Sequence, residues 1–398
     1  MINPITKAIF FVCCHSGPAD HFANFTEELT KDGYEVQICA SGPALKKFQD
    51  RNIEVKTSFL ADNLSQEEEL LLASEIVKAC SGAFAVISDV GHKFDITLQK
   101  TLAEKAPEIL RIAYYDNPES PDPYLPIDYS SVAKQVMSAA QKVLFANANL
   151  AEDSTIRLPT IPRIGLGYYP VLQADKIAKR RELNHNSMRS QFLKENNQKD
   201  LGQKVLTYFG GNNGEYFTEA FPAFLQFLSE GIQKTDLSNF IIVLQQHPGA
   251  KSSNIDRQQA ENWVKEHETN ANAPIFIISN KTTDEMQIIT EGALYHQTSM
   301  GPLLAIPGIP LIQIGAKPYK DILIKGGLCP SVINSSQLLE ALASIKPQSI
   351  SPEQKKEIFD SLGIKEDWKE RLKESFKHSE IEEELFFHRL QSKTPHIE

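Results

Sequence analysis

Short, almost wholly apolar runs separated by amphipathic stretches of helical period recur along this chain. The first run is Ala8-Ile9-Phe10-Phe11-Val12-Cys13-Cys14. It is too short to span a bilayer and has no small-residue cleavage site behind it. It therefore reads as a buried first strand. Further strand candidates lie at 35–40, 53–58, 83–88, 110–115 and 142–146, then at 203–208, 240–246, 274–279, 292–295 and 310–314. Helical patterns fill the intervals, near 19–32, 43–50, 65–80, 94–105 and 130–140, then 216–230, 255–267, 283–290, 300–306 and 336–344. Strands apolar on both faces need helices on both sides, and strand–helix alternation calls for parallel sheets with right-handed crossovers. The expected class is α/β, with two doubly wound, Rossmann-like domains facing a cleft and a helical C-terminal tail.

At about 100–200 residues per domain, 398 residues fit two domains. The Pro- and Gly-rich stretch 158–170 has no sustained period and reads as a linker and hinge. The expected division is 1–157, a linker and basic helix over 158–200, a second domain over 201–350, and a tail over 351–398. Trp368, Leu372, Phe376, Leu385, Phe386 and Leu390 would be the apolar faces of that tail. The helix at 172–196 carries Lys176, Lys179, Arg180, Arg181 and Arg189, either as a solvated face or as a contact for phosphate or a membrane surface.

Lys+Arg number 41 and Asp+Glu 51, a net charge of −10. That balance argues against a nucleic-acid partner, which needs a basic footprint. It leaves room for a local phosphate pocket. Cys13, Cys14, Cys39, Cys80 and Cys329 are scattered and apolar-flanked, as expected of reduced thiols in a cytosolic protein. No Cys/His cluster has zinc spacing, so no metal is expected. A cytoplasmic location follows, with peripheral membrane contact as a variant.

In open α/β sheets, ligands bind beyond the carboxyl ends of the strands. After the first strand come His15-Ser16-Gly17-Pro18-Ala19-Asp20, where a turn enters a helix. His15 and Asp20 are acid/base candidates, or capping groups. After the fourth come Ser88-Asp89-Val90-Gly91-His92, with Asp89 placed for a ligand or as a cap. After the fifth, Tyr114-Tyr115-Asp116-Asn117-Pro118-Glu119 gathers more polar groups than a cap needs, and a carboxylate there could deprotonate a hydroxyl. Tyr115 and Glu119 are further substrate candidates. Phe209-Gly210-Gly211-Asn212-Asn213-Gly214 is a strand, a Gly-rich turn and a helix start, suited to phosphate. It is neither a dinucleotide fingerprint nor a Walker loop. His247, followed by Pro248 and near Lys251, ends the next strand. Thr298 and Ser299 sit where a helix begins, as phosphate ligands or as an N-cap.

The layout over 3–345, and above all Asp284 to Gly315 with Thr298-Ser299-Met300-Gly301-Pro302 and Gly308-Ile309-Pro310, resembles the GT-B superfamily of glycosyltransferases and the related UDP-GlcNAc 2-epimerases. Within it, Asp116-Asn117, then His247-Pro248, then Thr298-Ser299 are similar in order to motifs of bacterial sialyltransferases and capsule-type transferases. The resemblance implies Asp116 as base, His247 as acid or phosphate ligand, and Thr298 and Ser299 as phosphate ligands. It also implies a tail that returns to the first domain. The expected function is metal-independent sugar transfer from a nucleotide-sugar co-substrate to an acceptor hydroxyl on a glycan, lipid-linked or protein acceptor, with no cofactor. The donor would lie on Gly210, Gly211, Asn212, His247, Lys251, Thr298 and Ser299. A UDP-sugar epimerase or hydrolase, and a non-catalytic binding protein of the same fold, are the alternatives.

Overall fold

The computed structural model describes residues 8–121, 127–158, 161–247, 254–297, 300–319, 321–346 and 350–376. They belong to two compact units, 1–169 with 362–398, and 170–361.

In the first unit, β1 (Ala8–Cys13), β2 (Glu35–Ser41), β3 (Thr57–Phe59), β4 (Ala85–Ser88), β5 (Leu110–Tyr115), β6 (Lys142–Phe145) and β7 (Arg163–Gly165) form one sheet. Its order is β3-β2-β1-β4-β5-β6-β7, with every neighbouring pair parallel. The period of two along β1 divides its apolar side chains between two cores. Ile9, Phe11 and Cys13 pack with Phe22, Phe25 and Tyr114. Phe10, Val12 and Cys14 pack with Phe94, Leu98 and Leu102 on the other face.

Two expectations about boundaries need correction. The stretch 158–170 is not a free linker, because 163–165 is the edge strand β7. A side chain at Gly165 would meet the Ala148 carbonyl at 2.6 Å, so close packing selects glycine there. A strand of three residues is too short to show alternation. The tail also divides. The helix Pro352–Ser361 belongs to the second unit, and the chain from Leu362 belongs to the first. Leu372 and Phe376 are buried in the first unit's core. Trp368 meets Tyr168 edge-on, with centroids 4.7 Å apart. The Lys365 N–H donates to the Gly167 carbonyl at 2.9 Å. The acidic end beyond 376, including Leu385, Phe386 and Leu390, lies outside the described residues.

In the second unit, β8 (Lys204–Phe209), β9 (Phe240–Gln245), β10 (Ile275–Ile278), β11 (Gly292–Tyr295), β12 (Leu311–Ile314) and β13 (Ser331–Val332) form a parallel sheet ordered β10-β9-β8-β11-β12-β13. The expected helix at 216–230 opens with a wider π turn over Tyr216–Ala220 before the α-helix Phe221–Ile232. The basic helix, Val171–Glu195, is not simply a solvated face. Arg181 donates to the carbonyls of Gln287 at 2.7 Å, Ile288 at 3.1 Å and Thr290 at 2.7 Å. It thereby caps the C-terminus of helix Thr283–Ile289, where carbonyls are otherwise unpaired and a cation is favoured. Arg189 pairs with Asp200 and Glu291. Lys176, Lys179 and Arg180 are exposed. Among the described residues, no helix is long and apolar enough to cross a membrane.

Candidate functional site

In each sheet the strand order reverses once, between β1 and β4 and between β8 and β11. At such a point the two connections leave in opposite directions and open a crevice at the carboxyl ends. Cys14 to Gly17 follow β1, and Asp89 to His92 follow β4. Asp116 follows β5, the next strand along.

These three loops bring His15, Asp89 and Asp116 together. Asp89 is fully buried. Its Oδ2 accepts from the Cys14 and His15 backbone N–H groups, each at 3.0 Å, and lies 3.0 Å from His15 Nδ1. The Cys13 thiol adds a longer contact at 3.6 Å. Asp89 thus holds the His15 ring and leaves its other nitrogen free of Asp89. Two glycines make the room. A side chain at Gly91 would begin 2.7 Å from His15 Cε1, and one at Gly17 would begin 2.7 Å from Asp116 Oδ2.

Electrostatics separates the titrating groups. Burial pulls His15 down, but the hydrogen bond and charge of Asp89, with the charges of Asp116 and Asp62, outweigh it and raise His15 above its ordinary value. Burial, reinforced by the Asp89 charge and opposed by His15, pushes Asp116 up to about 6. Burial also raises Asp89, yet the His15 bond and charge prevail, and Asp89 stays below the usual carboxylate range. A carboxyl that ionises near neutrality beside a histidine held by a permanent carboxylate is an acid–base arrangement.

Three sequence candidates take other places. Asp20 is turned toward the helix Gly42–Asp50 and its end, pairing with Lys47 at 2.9 Å and Arg51 at 2.7 Å. That makes it a structural ion pair, because five residues of helix separate it from His15 and swing it to another face. Tyr115 is wholly buried, and its hydroxyl donates to the Glu119 carbonyl at 2.8 Å. Glu119 is buried, with its backbone N–H on Asn117 Oδ1 at 2.9 Å. These two shape the loop that carries Asp116.

Sequence reasoning passed over Asp95. It lies in the first turn of helix Lys93–Lys105, where its Oδ2 accepts the His92 N–H at 3.0 Å in a capping box. Among the described residues, Cys14, Asp89 and Asp95 are the one group of three whose donor atoms lie within 4.8 Å of one another. The several N–H donors already on Asp89 Oδ2 suit a carboxylate oxygen held by the protein rather than one left for a metal.

In the second unit, β8 and β9 release residues 210–212 and 246–247 side by side, and the Gly210 N–H donates to the Gln245 carbonyl at 2.9 Å. A side chain at Gly210 would fall 2.8 Å from the Tyr216 hydroxyl, and one at Gly211 would fall 2.9 Å from Tyr216 Cγ. The paired glycines thus admit Tyr216, whose hydroxyl donates to buried Asp256 at 3.1 Å. Gln246 donates to the same carboxylate at 2.8 Å. Asn212 is exposed, and His247 is partly buried at the end of its strand. Lys251, Thr298 and Ser299 lie outside the described residues.

His296, which follows β11, was also missed. It is 3% exposed, with Nδ1 3.2 Å from the Ile314 carbonyl and Nε2 3.9 Å from Glu215. Burial lowers its pKa, so it is neutral near pH 7. With Nδ1 donating to the carbonyl, Nε2 is an acceptor.

Comparison with protein-family models finds no match, and comparison with curated proteins finds no relative. Solved structures do resemble the chain. The UDP-GlcNAc 2-epimerase from Neisseria meningitidis bound to UDP-GlcNAc is 12% identical with a TM-score of 0.65, over 93% of this chain and 99% of that one. The enzyme of the same name from Methanocaldococcus jannaschii is 14% identical with a TM-score of 0.59, over 86% and 93%. The N-terminal domain of Candida albicans trehalose-6-phosphate phosphatase is 10% identical with a TM-score of 0.57, over 93% and 96%. At such identities the likeness is one of fold alone: two parallel-sheet, Rossmann-like α/β units.

Proposed function

We propose that the chain is a nucleotide-sugar enzyme working by acid–base chemistry, and that it transfers the sugar to an acceptor hydroxyl. The observation that carries this reading is Asp116, a carboxyl brought to about 6 beside the His15–Asp89 pair. Above that pH the ionised carboxylate can take a proton from a hydroxyl as it attacks. His15, whose pKa Asp89 raises, would when protonated stabilise the negative charge nearby. The strand-end loops of the second unit, with Gly210, Gly211, Asn212 and His247, are the proposed donor site. There backbone dipoles and His247 would meet the charge that develops on the leaving phosphate. Lys251, Thr298 and Ser299 join them in this proposal on sequence grounds.

A second reading is epimerisation of a UDP-sugar. It is favoured by the fold it shares with epimerases that bind UDP-GlcNAc, and by two titrating groups that could remove a proton and return one. One experiment addresses both. A thermal-shift panel of UDP, CDP, CMP, GDP and TDP selects the nucleotide, since a ligand bound only by the folded state raises the melting temperature with concentration. The matching nucleotide-sugars are then incubated with and without acceptors. Transfer predicts turnover only with an acceptor. Conversion of the donor alone would replace transfer by epimerisation, and no stabilisation by any nucleotide would remove both.

A further inference from the structure

Asp89 and Asp95 present an accounting problem. Both are fully buried. Every donor that reaches Asp89 falls on Oδ2: the Cys14 and His15 N–H groups, the His15 ring and the Cys13 thiol. On Asp95 the His92 N–H also takes Oδ2. Oδ1 of each residue is left buried with no partner. The two carboxyl groups are nevertheless neighbours, with oxygens within 4.8 Å. Two buried carboxylates this close cannot both be ionised at modest cost, and an unpaired buried charged oxygen is expensive. One proton placed between the two empty oxygens removes both difficulties.

We propose that Asp95 carries a proton and donates it from its Oδ1 to Asp89 Oδ1, making Asp95 a positioning residue for His15. The pair then holds one negative charge. Asp89 keeps it on the oxygen that faces His15, while its far oxygen is satisfied by a neutral donor. The assignment of which partner is neutral follows the donors: Asp89 has three N–H groups and a thiol stabilising its charge, and Asp95 has one N–H. Burial and then the Asp89 charge raise Asp95 well above the ordinary carboxyl range, in the same direction. The other titratable groups facing the pair and His15 are Cys13, Cys14, Asp62, His92, Asp116 and Tyr129.

The test is the titration of His15, followed by long-range proton–nitrogen NMR on histidine-labelled full-length protein. In Asp95→Asn an amide N–H replaces the O–H donor without changing the charge. The His15 midpoint should stay within about 0.3 unit of the wild type, whereas Asp89→Asn should lower it by about one unit or more. A fall of a unit or more in Asp95→Asn would mean that Asp95 was ionised and would overturn the proposal. Carbon NMR of aspartate-labelled wild type guards against a misfolded variant: a protonated carboxyl should persist above pH 7, and its absence would also overturn the assignment. So would Zn²⁺ or Mg²⁺ that displaces this proton and shifts the His15 signals. The consequence for catalysis rests on the proposed function. There Asp95→Ala should lower turnover about 10-fold or more, as loss of a supporting hydrogen-bond partner does, and Asp95→Asn should recover most of it. Full activity in Asp95→Ala would end the positioning role. The NMR arms decide the shared proton even where no nucleotide-sugar reaction is found.

Discussion

The two units share a strand order around the reversal but place different side chains there. At the β1/β4 reversal the chain gathers titrating groups: His15, Asp89 and Asp95, with Asp116 from the adjoining strand. At the β8/β11 reversal they gather glycines, amides and a neutral histidine, and buried Asp256 is already held by Tyr216 and Gln246. Packing explains the contrast. In the first unit Gly17 and Gly91 leave space that titrating side chains enter. In the second, Gly210 and Gly211 leave space that a tyrosine fills from the unit's own core. Glycine at a strand end therefore marks close approach in both places, but the residue that approaches decides whether a reactive group results. In the proposed reading the first unit would carry the proton transfer, and the second, with backbone dipoles and hydrogen bonds, would hold the ligand.

Substitutions can break this contrast. The largest effect is expected for Asp116→Asn. Loss of a general base should lower kcat by about 10²–10⁴-fold, with nucleotide binding little changed. Equal losses in kcat and binding would move Asp116 out of the chemistry.

The pH profile is next. Asp116 must be ionised, so kcat/KM should rise with pH through about 6. His15 is useful while protonated, and its pKa is raised, so activity should fall only above the ordinary histidine range. Asp116→Asn should abolish the acid limb. An acid limb that survives in that variant would assign it to another group.

Gly17→Ala and Gly211→Ala pose the comparison directly. Each new methyl lies under 3.0 Å from an existing atom, and overpacking of this kind costs about 1–3 kcal/mol. In Gly17→Ala the displaced atom belongs to Asp116, so kcat should fall by more than the melting temperature suggests. In Gly211→Ala the displaced group is Tyr216, so the melting temperature should fall first. The reverse pattern would undo the assignment of the two reversals.

The smallest effect is expected for Asp20→Asn. It removes a partly exposed ion pair with Lys47 and Arg51, a loss of about 1 kcal/mol or less, and turnover should stay within about twofold. A large kinetic defect would restore Asp20 to the chemistry.

Much of this was legible in the sequence. Apolar runs bounded by polar turns located β1, β2, β4, β5, β6, β8, β9, β10, β11 and β12 within a few residues, because burial on both faces leaves a continuous apolar signal. The short edge strands β7 and β13 left none, since two or three residues carry no period. The strand-end rule reached His15, Asp89 and Asp116. It overreached at Asp20 and Tyr115, where helix rotation and strand pleat send the side chain elsewhere. It missed Asp95 and His296, which look from sequence like an ordinary helix-start acid and an ordinary loop histidine.

The alternation of periods by itself determined two parallel α/β sheets and which loops leave the carboxyl ends of their strands, because those follow from local burial and chain direction. Only the tertiary structure decided which of those side chains meet. The His15–Asp89 contact joins residues 74 apart in the chain, and the return of the tail to the first unit's core spans most of it. Such contacts depend on the order in which strands assemble and on the space glycines leave. Neither quantity is written in any one stretch of residues.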